Sequence, residues 1–352
     1  MIKRYSSLKE LKTLEPRWRE LEKAKGIRIF QSYDWCLLGW VNCLSKCHDN
    51  MLYVLEWSQE NVKGGVIFPF FVDGFGSLRF IMDCDSDVSN CVYESGANHH
   101  IAFKEAWEYI VADKTIKQIH LEKMDAESEV LNFWGALSIR ESNILPVNAY
   151  SWIELTATED FAKSQPQLRS KDKANVRALR RKAEKYQLRV LSLSAGQKYP
   201  EEAVNYIASD MRGKGIREDT FLTGSFSEFC RDIYNNGMAD ILELVNHDGQ
   251  PVAINFILNE AHRKLSWVLL YTDSHASTEL YVKYFYNYTE TDSLVFDFGS
   301  GSYEYKTGTF RPNMRLLFSL TMPLASRIKF RFLANSLFMD LKRIIKFCIG
   351  RK

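Results

Sequence analysis

Apolar residues in the first half of the chain repeat first at helical and then at strand spacing. Ser32 is a candidate N-cap for the second helix, because it directly precedes an apolar helical pattern. Pro69 lies inside a strand pattern and predicts an edge strand or a bulge there. The predicted helices cover Leu8–Lys25, the segment after Ser32 and Ala102–Val111, and the predicted strands cover Met51–Trp57, Val66–Val72 and Ile119–Leu121.

The second half has a run of three strand patterns with a helix and a strand after it. The turn His247-Asp248-Gly249 joins the first two of these strands, which predicts an antiparallel meander. The predicted strands are Tyr150–Leu155, Ile241–Asn246, Val252–Asn259, Leu265–Thr272 and Leu294–Phe298, and the predicted helices are Leu168–Leu188, Glu201–Asp210, Ser227–Asn236 and Thr278–Tyr288.

The length of the chain and the distribution of its charges predict two domains and a basic tail. A chain of 352 residues exceeds what one hydrophobic core usually serves, so we expect domains at 1–149 and 150–318, each mixed α/β, and a tail helix at 319–352. Arg327–Lys352 contains eight basic residues and one acidic residue, and its apolar stripe predicts a basic amphipathic helix. Such a helix either lies on an anionic membrane surface or docks on the body.

Several function classes find no support in the sequence. No apolar run reaches the about 18 residues of a membrane span, and no signal-peptide pattern opens the chain. We therefore expect a cytoplasmic protein, either free or peripheral at the inner membrane. Cys43, Cys47 and His48 share a helical face but lack a fourth ligand, so no metal is expected. The motifs of serine hydrolases, P-loop proteins and zincins do not occur in the sequence.

Four segments together resemble a known superfamily. They are Trp18 with Phe30-Gln31-Ser32 and Trp35, the loop Asp85-Ser86-Asp87, the basic helix Arg177–Arg181, and Asp297-Phe298 through Tyr305-Lys306. In this order and spacing they resemble the GNAT acyltransferases, in particular the tandem-domain branch of FemAB-type and CelD-like enzymes found with exopolysaccharide and cellulose genes. The resemblance implies two tandem GNAT-like domains, each a mostly antiparallel sheet flanked by helices.

The resemblance also implies an activity. Such enzymes transfer an acyl group, usually from an acyl-CoA such as acetyl-CoA, to an amine or hydroxyl; here the acceptor would be a small-molecule or lipid-linked sugar, a precursor of a polysaccharide or the envelope. Two alternatives stay open: FemAB-like aminoacyl transfer from aminoacyl-tRNA, and a catalytically silent scaffold. No nucleic-acid-binding signature accompanies the basic helix, so tRNA is the less expected partner.

The chemistry needs a base, a group that stabilises the developing oxyanion, and contacts for the cofactor phosphates. The residues predicted for catalysis are Asp297, Glu304 and Lys306; for cofactor binding, Tyr271, Ser277, Thr278 and Lys283; for substrate binding, Arg177, Arg180 and Tyr305. A carboxylate beside glycines, as at Asp297, is also a common turn-former. The turn Asp273–Thr278 has no glycine, although GNAT enzymes place a glycine-rich phosphate cradle there, and this departure puts the usual route of CoA binding in doubt.

Overall fold

The computed structural model describes residues 1–24, 26–59, 65–94, 99–137, 143–289, 292–301 and 303–325. Their packing defines two compact units. Of the described residues, unit 1 comprises those of Met1–Cys36, Leu44–Val147 and Leu317–Ala325, and unit 2 comprises those of Leu37–Cys43 and Asn148–Leu316. Compactness does not show which segments fold by themselves, so the domain boundaries predicted from the sequence stay predictions. Residues 319–323 of the predicted tail helix belong to the strand Asn313–Pro323, so the helix prediction is wrong there, and the rest of the tail from residue 326 lies outside the described residues.

Helices and strands alternate through both units. The helices are α1 (Leu8–Leu21), α2 (Tyr33–Asn42), α3 (His99–Ala112), α4 (Glu129–Leu137), α5 (Phe161–Ser164), α6 (Ser170–Ala183), α7 (Glu201–Gly213), α8 (Gly224–Asn235), α9 (Ser274–Tyr286) and α10 (Glu304–Phe310). The strands are β1 (Ile2–Tyr5), β2 (Met51–Trp57), β3 (Val66–Val72), β4 (Ser77–Phe80), β5 (Val92–Tyr93), β6 (Gln118–Asp125), β7 (Asn143–Leu155), β8 (Gln187–Leu191), β9 (Ala239–Val245), β10 (Pro251–Glu260), β11 (Arg263–Tyr271), β12 (Leu294–Ser300) and β13 (Asn313–Pro323).

The sheet of unit 1 contains strands β1, β2, β3, β4, β6 and β13 in that order, and β5 pairs with β3. Neighbours are antiparallel except β4 and β6, which run parallel. A parallel pair needs a crossover, and helix α3 supplies it. Apolar side chains of α3, α4 and the sheet, such as Phe103, Trp134 and Phe68, form the core of this unit.

The sheet of unit 2 contains strands β7, β12, β11, β10, β9 and β8 in that order. Here β8, β9, β10 and β11 are antiparallel neighbours, β11 and β12 are parallel, and β12 and β7 are antiparallel. Helix α9 makes the crossover between β11 and β12. Both units therefore repeat one order, a meander, a helix and a strand parallel to the last meander strand. The predicted mixed α/β fold of two tandem GNAT-like sheets is confirmed.

Side chains along the meander strands of unit 2 point alternately to the two faces of the sheet, and each face carries a hydrophobic core. Ile241 and Ile254 pack with apolar residues of α7 and α8, whereas Leu242 and Ala253 pack with apolar residues of α9. Successive side chains of a strand point to opposite faces, so strands covered on both sides carry apolar residues at nearly every position. This arrangement leaves the ends of β11 and β12 to form a site.

Two helices differ from what the sequence predicted. The helix predicted for Leu168–Leu188 ends at Ala183, and Gln187–Leu191 instead pairs with β9 as an edge strand. Tyr303 precedes a short helix, α10, in a segment for which the sequence analysis predicted no helix. In each case pairing or packing with distant residues overrides the local pattern.

Pro69 was predicted to mark an edge strand or a bulge, but β3 is flanked by strands on both sides. Its residue pairs with β4 begin at Phe70, and those with β5 end at Ile67. Pro69 therefore lies where one neighbouring strand has ended and the other has not begun, so its missing N–H leaves no ladder partner unsatisfied. Its carbonyl still accepts a hydrogen bond from the Ile81 N–H at 2.9 Å.

Among the described residues, no helix combines the length and the hydrophobicity needed to cross a bilayer. The cytoplasmic location and the peripheral membrane contact expected from the sequence stay predictions.

Candidate functional site

The candidate site lies in unit 2, where β11 and β12 separate. In the described register the two strands pair from Arg263 to Leu265 and from Val295 to Asp297. The side chain of Tyr281, from helix α9, packs against β12 at this point: its ring lies 5.7 Å from that of Phe296 and 5.4 Å from that of Phe298. Because the described pairing of the two strands ends at Leu265 and Asp297, we take the region beyond it as the candidate binding groove.

A buried polar network extends from this opening into the sheet. The Tyr281 hydroxyl lies 2.7 Å from the Ser266 hydroxyl, and the Asn255 amide donates to Ser266 at 3.0 Å. All three residues are buried, with exposed fractions of at most 5%. Buried polar groups persist where they are hydrogen-bonded, and satisfied networks hold side chains in one orientation. The network therefore fixes the Tyr281 hydroxyl beneath the groove.

Three tyrosines form a column of parallel rings that we call the tyrosine column. Tyr281 stacks on Tyr305 at 5.9 Å with an interplanar angle of 8°, and Tyr305 stacks on Tyr303 at 6.0 Å and 15°. Tyr281 is fully buried and Tyr303 is 56% exposed, so the column runs from the core to the surface. Burial, followed by the interaction and hydrogen bond with Tyr281, raises the pKa of Tyr305 far above its usual value. Tyr305 is therefore a protonated phenol at neutral pH.

Lys306 places a cation beside the tyrosine column. Its ammonium lies 5.1 Å from the Tyr303 ring centre and 5.8 Å from that of Tyr305, and it donates to the Ser300 carbonyl at 3.0 Å. The residue is only 2% exposed. Gly301 allows this close packing, since it adopts a φ of 100° and a Cβ would come within 2.5 Å of the Tyr303 ring.

Asp297 is 1% exposed and holds the strand end together. One carboxylate oxygen accepts from Arg263 at 2.9 Å, and the other accepts the Gly299 N–H at 2.9 Å. These contacts are those of a turn-forming, ion-paired carboxylate, the other role that the sequence allowed. Both carboxylate oxygens are engaged in these contacts, so the role of Asp297 as the catalytic base stays a prediction.

Of the other predicted residues, Tyr271 and Glu304 lie near the tyrosine column. Tyr271 ends strand β11, and both it and Tyr305 pack on the same apolar core. Glu304 is exposed in the first turn of α10, one residue before Tyr305. The structure thus brings Tyr271, Glu304, Tyr305 and Lys306 together. Their predicted roles stay predictions.

The start of α9, predicted to hold cofactor phosphates, is capped by a carboxylate. Asp273 accepts the N–H groups of His275 at 2.8 Å and Ala276 at 3.2 Å. The helix begins at Ser274, four residues before the predicted start, so Ser277 and Thr278 are buried in its first turns and not its caps. A negative cap occupies the positive end of the helix dipole and opposes an anion there.

The remaining predicted residues contact parts of unit 2. Lys283 donates to the Ala183 carbonyl at 3.4 Å, where α9 meets α6. Arg177 donates to Asp160 at 2.6 Å, and the Arg180 guanidinium lies 4.3 Å from the ring centre of Tyr286. The hydroxyl of Tyr286 also donates to Asp160, at 3.0 Å. These contacts attach α6 to the rest of the unit. The predicted cofactor and substrate roles of the three cations stay predictions.

The Arg177–Asp160 pair predicts a pH dependence of stability. The hydrogen bond from Arg177, then that from Tyr286, lowers the pKa of Asp160 below its usual value. A lowered pKa in the folded state stabilises the fold above the unfolded pKa of about 3.9, and this contribution disappears as pH falls through the folded pKa. In Arg177→Met the pKa of Asp160 should move up toward its usual value.

The pKa change can be followed by NMR titration of the Asp160 carboxyl. Arg181→Met, an exposed neighbour on the same helix, serves as the matched control and should leave that pKa unchanged. If both variants shift the pKa equally, the general charge of α6, and not the contact with Arg177, would be its cause.

In unit 1, the loop Asp85-Ser86-Asp87 is fastened by a lysine that the sequence did not single out. Lys123 donates to the carbonyls of Cys84 and Ser86, each at 2.8 Å. Lys123 and Met82 both adopt left-handed backbone, with φ of 57° and 58°. Such non-glycine conformations cost on the order of 1–3 kcal/mol each and occur where surrounding contacts impose them. The loop is therefore held in one shape by its own unit.

The most informative residues missed at the sequence level are Tyr281, Ser266, Asn255 and Asp273. Tyr281 belongs to an aromatic run at helical spacing, which is typical of core packing, and nothing local distinguishes its buried hydroxyl. Ser266 and Asn255 lie on neighbouring strands, so only the sheet register pairs them. Asp273 could have been found, because an Asp just before a helical pattern is a usual N-cap.

Comparison with known proteins gives structural matches only. No family model and no curated protein matches the sequence. L-PGS from Bacillus licheniformis has 12% identity and a TM-score of 0.53, over 88% of this chain and 91% of that one. The C-terminal DUF2156 domain of an Agrobacterium fabrum protein described as a lysylphosphatidylglycerol synthetase has 9% identity and a TM-score of 0.54, over 94% and 97%.

A third match is a conserved protein of unknown function from Bacteroides thetaiotaomicron, with 12% identity and a TM-score of 0.57, over 92% of this chain and the whole of that one. This chain shares the fold of these proteins. At such low identity the likeness extends to the fold and not to a substrate, so the GNAT-like architecture is shown, and the exopolysaccharide or cellulose connection stays a prediction.

Proposed function

We propose that unit 2 is an acyltransferase that moves an acyl group from an activated donor, with acetyl-CoA as the first to be tested, to an amine or hydroxyl of a sugar-containing polysaccharide or envelope precursor. The tyrosine column with Lys306, placed at the opening between β11 and β12, is the observation that carries the proposal. A phenol that keeps its proton at neutral pH can act as a proton donor, and a neighbouring cation can stabilise an oxyanion, so the two groups suit this chemistry.

In the proposed reaction the acceptor nitrogen or oxygen attacks the acyl carbonyl and forms a tetrahedral oxyanion. The ammonium of Lys306 stabilises the negative charge as it develops. When the intermediate collapses, the bond to the leaving group breaks, and Tyr305 donates its phenolic proton to the departing thiolate or alkoxide. Glu304, exposed one residue away, is the carboxylate that we propose takes the proton from the acceptor.

The capped start of α9 bears on the donor. Acyl-CoA carries a pyrophosphate, and the Asp273 carboxylate occupies the helix terminus that would otherwise attract it. We therefore expect acetyl-CoA to bind without this terminus and only weakly. The basic exposed face of α6 would suit a larger polyanion, which keeps an aminoacyl-tRNA donor as the alternative.

The test compares donors with the full chain and with Asp273→Asn, which can keep the cap hydrogen bonds but removes the charge. Calorimetry should detect acetyl-CoA binding, several-fold tighter in Asp273→Asn, and thiol release should require an amine or hydroxyl acceptor. If neither protein binds acetyl-CoA but transfer from aminoacyl-tRNA is observed, aminoacyl-tRNA replaces acetyl-CoA as the proposed donor. Transfer from neither donor would support the silent scaffold.

A further inference from the structure

An open cleft of about 950 Å³ lies in unit 2, between edge strand β8, the start of strand β10 and the first turns of α7. None of the residues of the tyrosine column lines it, and its volume falls in the range of sites for drug-sized ligands. The side chains that matter most are Arg189 and Glu243 from neighbouring strands, and Glu201, Glu202 and Tyr206 from α7.

The cleft has an acidic lining. Glu201, Glu202 and Glu243 contribute three negative charges and Arg189 one positive charge. Glu201 also pairs with Arg231 at 3.4 Å, so one negative charge remains in excess. Glu243 is 6% exposed, and its one described ion pair, to Arg189, is long at 3.4 Å. An ionised carboxylate only accepts hydrogen bonds, so this lining favours ligands rich in O–H and N–H donors and disfavours anions.

One wall of the cleft presents an aromatic ring. Tyr206 is 53% exposed, although large rings on helices usually face the core. Glu202 and Tyr206 are four residues apart on α7 and so share one helical face. An exposed ring beside a carboxylate offers a flat apolar surface and a charge to the same ligand.

We infer that this cleft binds an amine-bearing saccharide of two or three rings. One sugar ring stacks on Tyr206, its ammonium group lies near Glu201 and Glu202, and hydroxyl groups donate to Glu243 and accept from Arg189. A simple amine would leave Tyr206 and the rest of the cleft volume unused, and an acidic sugar would meet the excess negative charge. The inference does not rest on the proposed acyl transfer, since the two sites share no residue.

Calorimetry with the full chain tests the inference with three probes: a trimer of glucosamine, the same trimer fully N-acetylated, and spermidine. The amine trimer should bind at least about tenfold more tightly than its acetylated form, because acetylation removes the charge. It should also bind more tightly than spermidine, because only the sugar uses Tyr206. Equal affinities for the trimer and spermidine, or tighter binding of the acetylated trimer, would overturn the inference.

Variants connect the binding to the cleft. Tyr206→Ala and Glu243→Gln should each weaken the amine trimer by about three- to tenfold, whereas Tyr303→Ala, an exposed tyrosine of the tyrosine column, should not change its affinity. Circular dichroism confirms that each variant is folded. Unchanged affinity in Tyr206→Ala would place the ligand elsewhere. The acyl-transfer assay is scored separately, so either idea can fail while the other holds.

Discussion

Asp297→Ala should destabilise unit 2 by about 3 kcal/mol, one of the largest effects expected from a single substitution in this chain. The change leaves Arg263 without its buried partner and the Gly299 N–H without an acceptor. Hydrogen exchange of the Leu294–Ser300 amides measures the loss locally, which is preferable to one unfolding transition for a chain of two units. We expect these amides to exchange much faster than in the wild type.

Asp297→Asn is the matched control. The amide oxygen can still accept the Gly299 N–H, but the charge facing Arg263 is lost, so the destabilisation should be smaller, about 1–2 kcal/mol. If instead Asp297→Ala keeps normal exchange rates yet abolishes acyl transfer, the carboxylate acts in the chemistry, and the structural role assigned to it is wrong.

Tyr305→Phe should lower kcat for acyl transfer by about 10²–10⁴-fold, the usual contribution of a positioned general acid. KM should change little, because the ring and its stacking between Tyr281 and Tyr303 remain. Steady-state kinetics with the best donor from the donor comparison measures both constants. Because burial keeps the pKa of Tyr305 far above neutrality, the wild-type rate should not fall near pH 8 through loss of this proton.

Tyr303→Phe provides the control for this prediction. It removes a phenol from the same column, but from its exposed end, and should retain nearly the full rate. A Tyr305→Phe enzyme with more than half of the wild-type kcat would sink the proposed proton donation. Equal losses in the two variants would indicate that the hydroxyl groups of the column bind the acceptor and that neither is the acid.

The site could be located from the sequence more readily than its chemistry could be assigned. The segment from Phe296 to Lys306 does contain Tyr305 and Lys306, since glycines and aromatics after a buried strand indicate a turn at a sheet end. The sequence of that segment does not show which of its two carboxylates is held in an ion pair. Asp297 and Glu304 look alike in sequence, and only the distant Arg263 commits the first of them.

Periodicity by itself determined the meander of unit 2, the helix after it and the strand after that, because both faces of those strands are buried and the pattern is local. It also indicated the mixed α/β class. The tertiary structure decided which strands complete each sheet: β13 pairs with β6, and β7 pairs with β12, across separations of about 140 to 200 residues. Likewise, the stacking of Tyr281 on Tyr305 depends on helices α9 and α10 meeting, and no local propensity encodes that contact.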